Sequence, residues 1–244
     1  MEFQKRSNLL KACISLWYVG LLFVFSFSAT GQQTKCDSTP EIDTRKWVTE
    51  HFAKGKTPPF SFIYGGKSSD CFIRSWQFSS EKIRSNSPDT EEFVFTYSDK
   101  QSGLVVKCFV YCFLDYPAVE WVLKFSNQSG TNTPLVEDAA VVDLPLSFNK
   151  KSTAILHHSN GSNASPGDFM PFDDTLRIGE SIRMSPAGAR GSSDNTAFPF
   201  FNIESSGSEG VMVAVGWTGK WYADVEQQDG NKVLLKAGME RMKL

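Results

Sequence analysis

FVFTYSDKQSGLVVKCFVYCFLDYPAVEWVLKFS, residues 93–126, decides the fold class. Phe93, Phe95 and Tyr97 alternate with Val94, Thr96 and Ser98, the period of a strand with one buried face. Asp99 to Gly103 is rich in turn formers. Leu104 to Leu114 then reads as a second strand, with Val106, Cys108, Val110, Cys112 and Leu114 on one face. Asp115-Tyr116-Pro117 turns the chain again. Val119, Trp121, Leu123 and Phe125 next alternate with Glu120, Lys124 and Ser126, as in a half-buried antiparallel strand.

The same period recurs toward the C-terminus. Val211, Val213, Val215 and Trp217 share a face, Thr218-Gly219-Lys220 turns, and Trp221, Ala223 and Val225 continue. Asp229-Gly230 is a hairpin signal ahead of Lys232–Lys236. Short strands joined by such turns predict an all-β, antiparallel sandwich over residues 55–244. Residues 32–54 form a lead-in, in which EIDTRKWVTEHFAK (41–54) suits one short helix. His157 to Asn195 breaks the rhythm. It is rich in Gly, Ser, Asn, Asp and Pro, too polar for core and longer than a hairpin connection, so it reads as a long loop that is either functional or disordered.

Composition agrees with a β-rich globular chain. Of 244 residues, 20 are Phe and six are Trp, and hydrophobic residues make up 41%. Disordered, collagenous and coiled-coil classes are excluded. With 25 basic against 27 acidic residues there is no basic surplus to displace counterions from a nucleic acid.

The first 31 residues read as a signal peptide. Lys5, Arg6 and Lys11 precede the charge-free run ACISLWYVGLLFVFSF (12–27), and Ala29 and Gly31 are small residues suited to cleavage after Gly31. An uncleaved anchor is the alternative, disfavoured because the run is shorter than the ~20 residues of a comfortable span. The polar residues before Cys36 do not suit lipidation. The chain is thus expected to be secreted or periplasmic, where disulfides are permitted. Cys36, Cys71, Cys108 and Cys112 remain after cleavage. Cys108 and Cys112, on one strand face, lie roughly 13 Å apart and cannot bridge each other. Buried free thiols and a bridge to another cysteine both stay open. Asn127, Asn160 and Asn163 sit in N-x-S sequons.

Chemistry-bearing motifs are sparse. The three histidines are His51, His157 and His158, and no G-x-S-x-G, C-x-x-C, H-E-x-x-H or phosphate loop occurs. His157-His158 lacks a partner set at ligand spacing, so no metal and no cofactor is expected. Asp173-Asp174 reads as a solvated pair, not an acid/base pair. Sugar recognition is better served, because Trp offers a flat apolar plate while Asp, His and Arg bind hydroxyls. The candidate carbohydrate-binding residues are Trp76, His157, His158, Asp168, Arg190, Trp217 and Trp221. For Trp76 and Trp217 an interior position is an equal alternative.

Several blocks, in order, resemble the N-terminal domain of family 36 glycoside hydrolases, the α-galactosidase-like enzymes: PFSFIYGGKSSDCFIRSW (59–76), SGLVVKCFVYCFLDYPAVEWVLKFSNQS (102–129), HHSNGSNASPGDFMPF (157–172) and PFFNIESSGSEGVMVAVGWTGKWYADV (199–225), with AGME (237–240) resembling the exit from that domain. The resemblance implies a galactose-mutarotase-like β-supersandwich, α-galactosides as the partner carbohydrate, and a following (β/α)₈ barrel that carries both catalytic Asp residues. Retaining hydrolysis needs that pair. The sequence stops at Leu244, about where the barrel would begin, so the chain alone is not expected to hydrolyse glycosides and no catalytic residue is assigned. A truncated product is the simplest account, with a fragment or a partner of a separately encoded barrel as alternatives. A bare barrel-docking face implies self-association. Two further functions stay open: a stand-alone carbohydrate-binding protein, and an aldose-epimerising enzyme using His157 or His158 with Glu204.

Overall fold

A computed structural model describes residues 43–149, 151–188, 191, 193–205 and 209–244. The signal-peptide assignment, Cys36 and Arg190 lie outside the described residues. One short helix, α1 (Thr44–His51), leads into strands β1 (Ser61–Tyr64), β2 (Lys67–Ser68), β3 (Gln77–Ile83), β4 (Thr90–Ser98), β5 (Leu104–Phe113), β6 (Val119–Asn127), β7 (Val136–Ser147), β8 (Ala154–Ser159), β9 (Pro171–Thr175), β10 (Ser181–Met184), β11 (Phe200–Ser205), β12 (Glu209–Ala214), β13 (Trp221–Asp229) and β14 (Lys232–Met239). The helix starts where Asp43 accepts a hydrogen bond from the Lys46 backbone N–H at 3.1 Å. It buries Val48 and stacks Trp47 on His51.

The strands form three antiparallel sheets: a six-stranded sheet in the order β10-β13-β14-β7-β1-β2, and four-stranded sheets β12-β11-β8-β9 and β3-β4-β5-β6. The expected all-β sandwich is therefore present. Two cores result. In the first, Phe60 and, from β1, Phe62 and Tyr64 meet Phe95, Tyr97, Val106, Cys108 and Val110 of the β3–β6 sheet, with Val48 and Phe52 in the same core. In the second, Leu156, Phe201 and Ile203 pack on Trp221, Val225, Val233 and Leu235. Cys108 and Cys112 are free buried thiols on β5, and Cys71 is free and exposed.

A row of charges crosses the six-stranded sheet. Arg183, Asp224, Lys236 and Asp143 stand directly opposite one another on β10, β13, β14 and β7. Arg183 Nε lies 3.4 Å from Asp224, Lys236 Nζ lies 3.2 Å from Asp143, and Ser61 Oγ of β1 donates to Asp143 at 2.5 Å. Alternating sign across neighbouring strands favours this register over its one-residue slips.

Three local expectations are corrected. The 157–195 segment is not one loop, because β9 and β10 lie within it; β9 pairs with β8, and β10 with β13. The turn at 218–220 does not close a hairpin, since β12 and β13 belong to different sheets and the chain crosses between them. Trp217 leaves the face of Val211, Val213 and Val215. The strand ends at Ala214, and the indole is 47% exposed. Among the described residues no helix is long and apolar enough to cross a membrane.

Candidate functional site

A cluster of ionisable groups centred on a histidine lies on the outward face of the β12-β11-β8-β9 sheet. Successive side chains of a strand point to opposite faces, and Leu156 on β8 is buried in the second core. His157 therefore points outward, with Asp173 of β9 and Asn202 of β11 directly opposite it on either side. Its Nδ1 lies 2.7 Å from Asp173 Oδ1, and its Nε2 lies 2.9 Å from Glu204 Oε2. One imidazole thus ties three adjacent strands together.

The two contacts fix the charge. Ionised carboxylates only accept, while a neutral imidazole carries a single N–H. Both contacts are satisfied together only by the imidazolium. Accordingly, the hydrogen bond that His157 gives to Asp173 above all raises its pKa above the ordinary value; burial opposes this, and the bond to Glu204 adds to the rise. His158 points the other way along the strand. Its Nε2 lies 2.8 Å from Asp174 Oδ2, and its ring sits 5.4 Å from that of Phe172. The sequence treats the His-His and Asp-Asp pairs as unconnected; the hairpin of β8 and β9 joins them. Because His157 and His158 face opposite sides, they do not form one site.

Glu204 is brought to His157, as the aldose-epimerising alternative requires. However, both ring nitrogens of His157 are already engaged, by Asp173 and by Glu204. General acid/base work on a sugar would first have to break one of the two contacts.

The other candidates disperse. Asp168 organises its own loop. It accepts from Ser162 Oγ at 2.5 Å, from the N–H groups of Asn163, Ala164 and Ser165 at 3.1, 3.1 and 3.2 Å, and from Ser165 Oγ at 3.1 Å. Those bonds, the Ser162 hydroxyl first, pull its pKa down to about 2. A carboxylate so fully engaged has little left for a ligand. Trp76 sits in the first core's aromatic cluster, stacked on Phe72 at 5.1 Å and edge-on to Tyr64 at 6.0 Å. Trp221 has no exposed surface and belongs to the second core, so it offers no plate to a sugar. Trp217 is exposed and rests over Gly219, where an added Cβ would meet the indole Nε1 at 2.5 Å. Of the three tryptophans, only Trp217 presents an open face.

Sequence reasoning missed a second constellation. Glu92, Tyr111 and Glu120 stand in one row on β4, β5 and β6. With Ser85, Asn86, Phe113 and Val122 they line an open depression of about 550 Å³. Tyr111 is half-buried and Val122 is 45% exposed. The signal was present as the outward half of each strand's alternation, but only the pairing register shows which outward residues meet. The two carboxylates rise from the same face of one sheet, two strands apart, roughly 9–10 Å, with Tyr111 between them. They point in parallel and do not oppose each other across a bond, as glycoside hydrolysis requires. Glu92 also accepts from Ser85 Oγ at 3.0 Å. Among the described residues, no group of three or more His, Cys, Asp or Glu could hold a metal ion.

No protein-family model and no curated protein sequence matches the chain. Solved structures do match in fold. The α-galactosidase AgaA of glycoside hydrolase family 36 from Geobacillus stearothermophilus aligns over 78% of this chain and 28% of its own, with a TM-score of 0.56 at 12% identity. The α-galactosidase from Lactobacillus brevis aligns over 78% and 27%, with a TM-score of 0.54 at 15% identity. The sandwich is thus a fold shared with these enzymes, as the sequence resemblance implied, and the chain spans little more than a quarter of their length.

Proposed function

We propose that this chain is the N-terminal accessory sandwich of an exported, α-galactosidase-like glycoside hydrolase, and that it does not cleave glycosides by itself. The match of 78% of the chain to 28% of AgaA carries the proposal, because the shared fold corresponds to one part of a larger enzyme. The scattered acids of the described surface support it. Asp173 and Glu204 are both held by His157, and Glu92 and Glu120 point in parallel. Catalysis then belongs to a (β/α)₈ barrel, in the same polypeptide or in a separate one, whose two Asp residues would supply nucleophile and acid/base. No cofactor has a role in that chemistry. AgaA has been captured with raffinose, with stachyose and with 1-deoxygalactonojirimycin, so α-galactosides are the carbohydrate class assigned to the assembled enzyme. The test is hydrolysis of an aryl α-galactoside by the purified chain. No turnover above an unfolded control is expected, and clear turnover would overturn the proposal.

Carbohydrate binding by the sandwich itself is favoured by one observation, the depression in which Tyr111 and Phe113 lie beside Glu92, Asn86 and Glu120. An aromatic surface flanked by hydroxyl-binding groups suits a sugar ring. Calorimetric titration with galactose and raffinose should show weak binding that Tyr111→Ala diminishes. No heat at millimolar sugar would exclude it.

A further inference from the structure

Among the described residues, three open sheets leave six edge strands, and five of them are guarded. β3 carries Glu81 and Lys82, and β6 carries Glu120 and Lys124. β9 carries Pro171, Asp173 and Asp174, β10 carries Arg183, and β2 is two residues long. Charges, proline and shortness are the usual means of preventing an edge from pairing with another chain. β12 has no proline, and its single charge, Glu209, sits at its very first residue, leaving the middle of the strand unguarded. After Glu209 it runs Gly210-Val211-Met212-Val213-Ala214 without a charge or a proline, and Val215 extends the run. Among the described residues only β11 pairs with it.

The hydrogen-bond phase shows what this edge offers. Val215 N–H donates to Pro199 O at 2.9 Å, in line with the β11–β12 register, which sets Phe201 opposite Val213 and Ile203 opposite Val211. Backbone groups of alternate residues point to the same side of a strand. Val211, Val213 and Val215 therefore bond inward to β11, and the N–H and C=O groups of Gly210, Met212 and Ala214 point outward along the open edge. Met212 is also the most exposed large apolar side chain of the described residues, at 78%, with Phe200 of β11 beside it at 51%.

We propose that β12 is an interface between two copies of this chain, paired antiparallel about a two-fold axis through Met212. That axis sets Met212 against Met212 of the second copy and Gly210 against Ala214. Each opposed pair exchanges both backbone hydrogen bonds, and Glu209 falls opposite Val215, so no like charges meet. The two-fold makes the strand its own complement, as a closed dimer requires. The result is one continuous eight-stranded sheet, β9-β8-β11-β12 followed by its mirror sequence, with the Met212 side chains covering each other on the outer face. A second copy is favoured over a foreign strand because the register closes without a misplaced charge on either side. The interface does not depend on the enzymatic assignment.

Sedimentation velocity over a concentration series tests this, under reducing conditions so that the exposed Cys71 thiol cannot link chains. A monomer–dimer equilibrium is expected. Met212→Lys places a charge against its own copy, and Met212→Pro removes an N–H that β11 does not use; each should give monomer at all concentrations with an unchanged circular dichroism spectrum. Should the proline variant unfold, the lysine variant alone decides. Amide hydrogen exchange supplies the register. The Met212 and Ala214 amides should be protected in the dimer and lose protection in Met212→Lys, whereas the Val213 amide stays protected in both. A chain that is monomeric throughout, a dimer that survives Met212→Lys, or fast exchange at Met212 and Ala214 within the dimer would overturn the proposal.

Discussion

His157 sits between two groups that only accept, and its charge is therefore part of the fold. Its folded pKa is raised above the ordinary value of 6.5. Its contribution to stability is then complete below about pH 6.5 and is lost as pH rises through the higher folded value. Chemical denaturation of the wild type and of His157→Gln checks this. The stability gap between them should be widest at mildly acidic pH and narrow as pH rises above 6.5; a gap that stays constant would assign His157 a purely steric role. At the same scale, Trp217 and Trp221 flank one Gly turn and look equivalent in the sequence, yet they differ completely in environment. Trp221→Ala should cost about 3–5 kcal/mol, the usual penalty for emptying a buried aromatic site, while Trp217→Ala should stay within about 0.5 kcal/mol. Denaturant midpoints measure both. Equal losses would mean that the indole of Trp217 is interior after all.

At the scale of elements, strands with a clean period of two were legible at once. Phe93 to Ser126 gave β4, β5 and β6 with their turns, and Asp229-Gly230 gave the β13–β14 hairpin. Gly103 makes the β4–β5 turn possible. Its φ is +79°, and an added Cβ would lie 2.6 Å from Ser129 Cβ. Gly103→Ala should destabilise the chain by more than about 1 kcal/mol, read from the same denaturation curves. A neutral effect would show that the turn relaxes freely. β9 and β10 were not legible, because PFDDT is exposed throughout and has no apolar face, while SIRM is too short for its Ile182–Met184 alternation to stand out. Their strand character comes from the partner strand, which supplies the backbone hydrogen bonds. The Arg183–Asp224–Lys236–Asp143 row was equally hidden. Its members are far apart in sequence, and only the long-range register of four strands makes them neighbours.

At the scale of the whole molecule, the alternation along individual strands was enough to predict a sandwich, and ordered blocks of sequence linked it to α-galactosidases before any comparison of folds. The candidate site was less legible. Residue type alone favoured tryptophans that turn out to pack in cores, and it overlooked Glu92, Tyr111 and Glu120, which look like ordinary outward residues until three strands are aligned. Function on a sheet surface depends on rows across strands, and rows are a property of pairing, not of composition. Among the described residues, the same logic leaves acids enough for binding, while the acids placed near one another, Asp173 with Glu204 and Glu92 with Glu120, are not set in opposition. Release of nitrophenol from a nitrophenyl α-galactoside by the purified, folded chain is therefore the decisive measurement. The account predicts no release above that of the denatured chain at any pH at which the protein stays folded. Release that follows the folded protein and disappears in Glu92→Gln or Glu120→Gln would contradict it and place a hydrolytic centre within the sandwich.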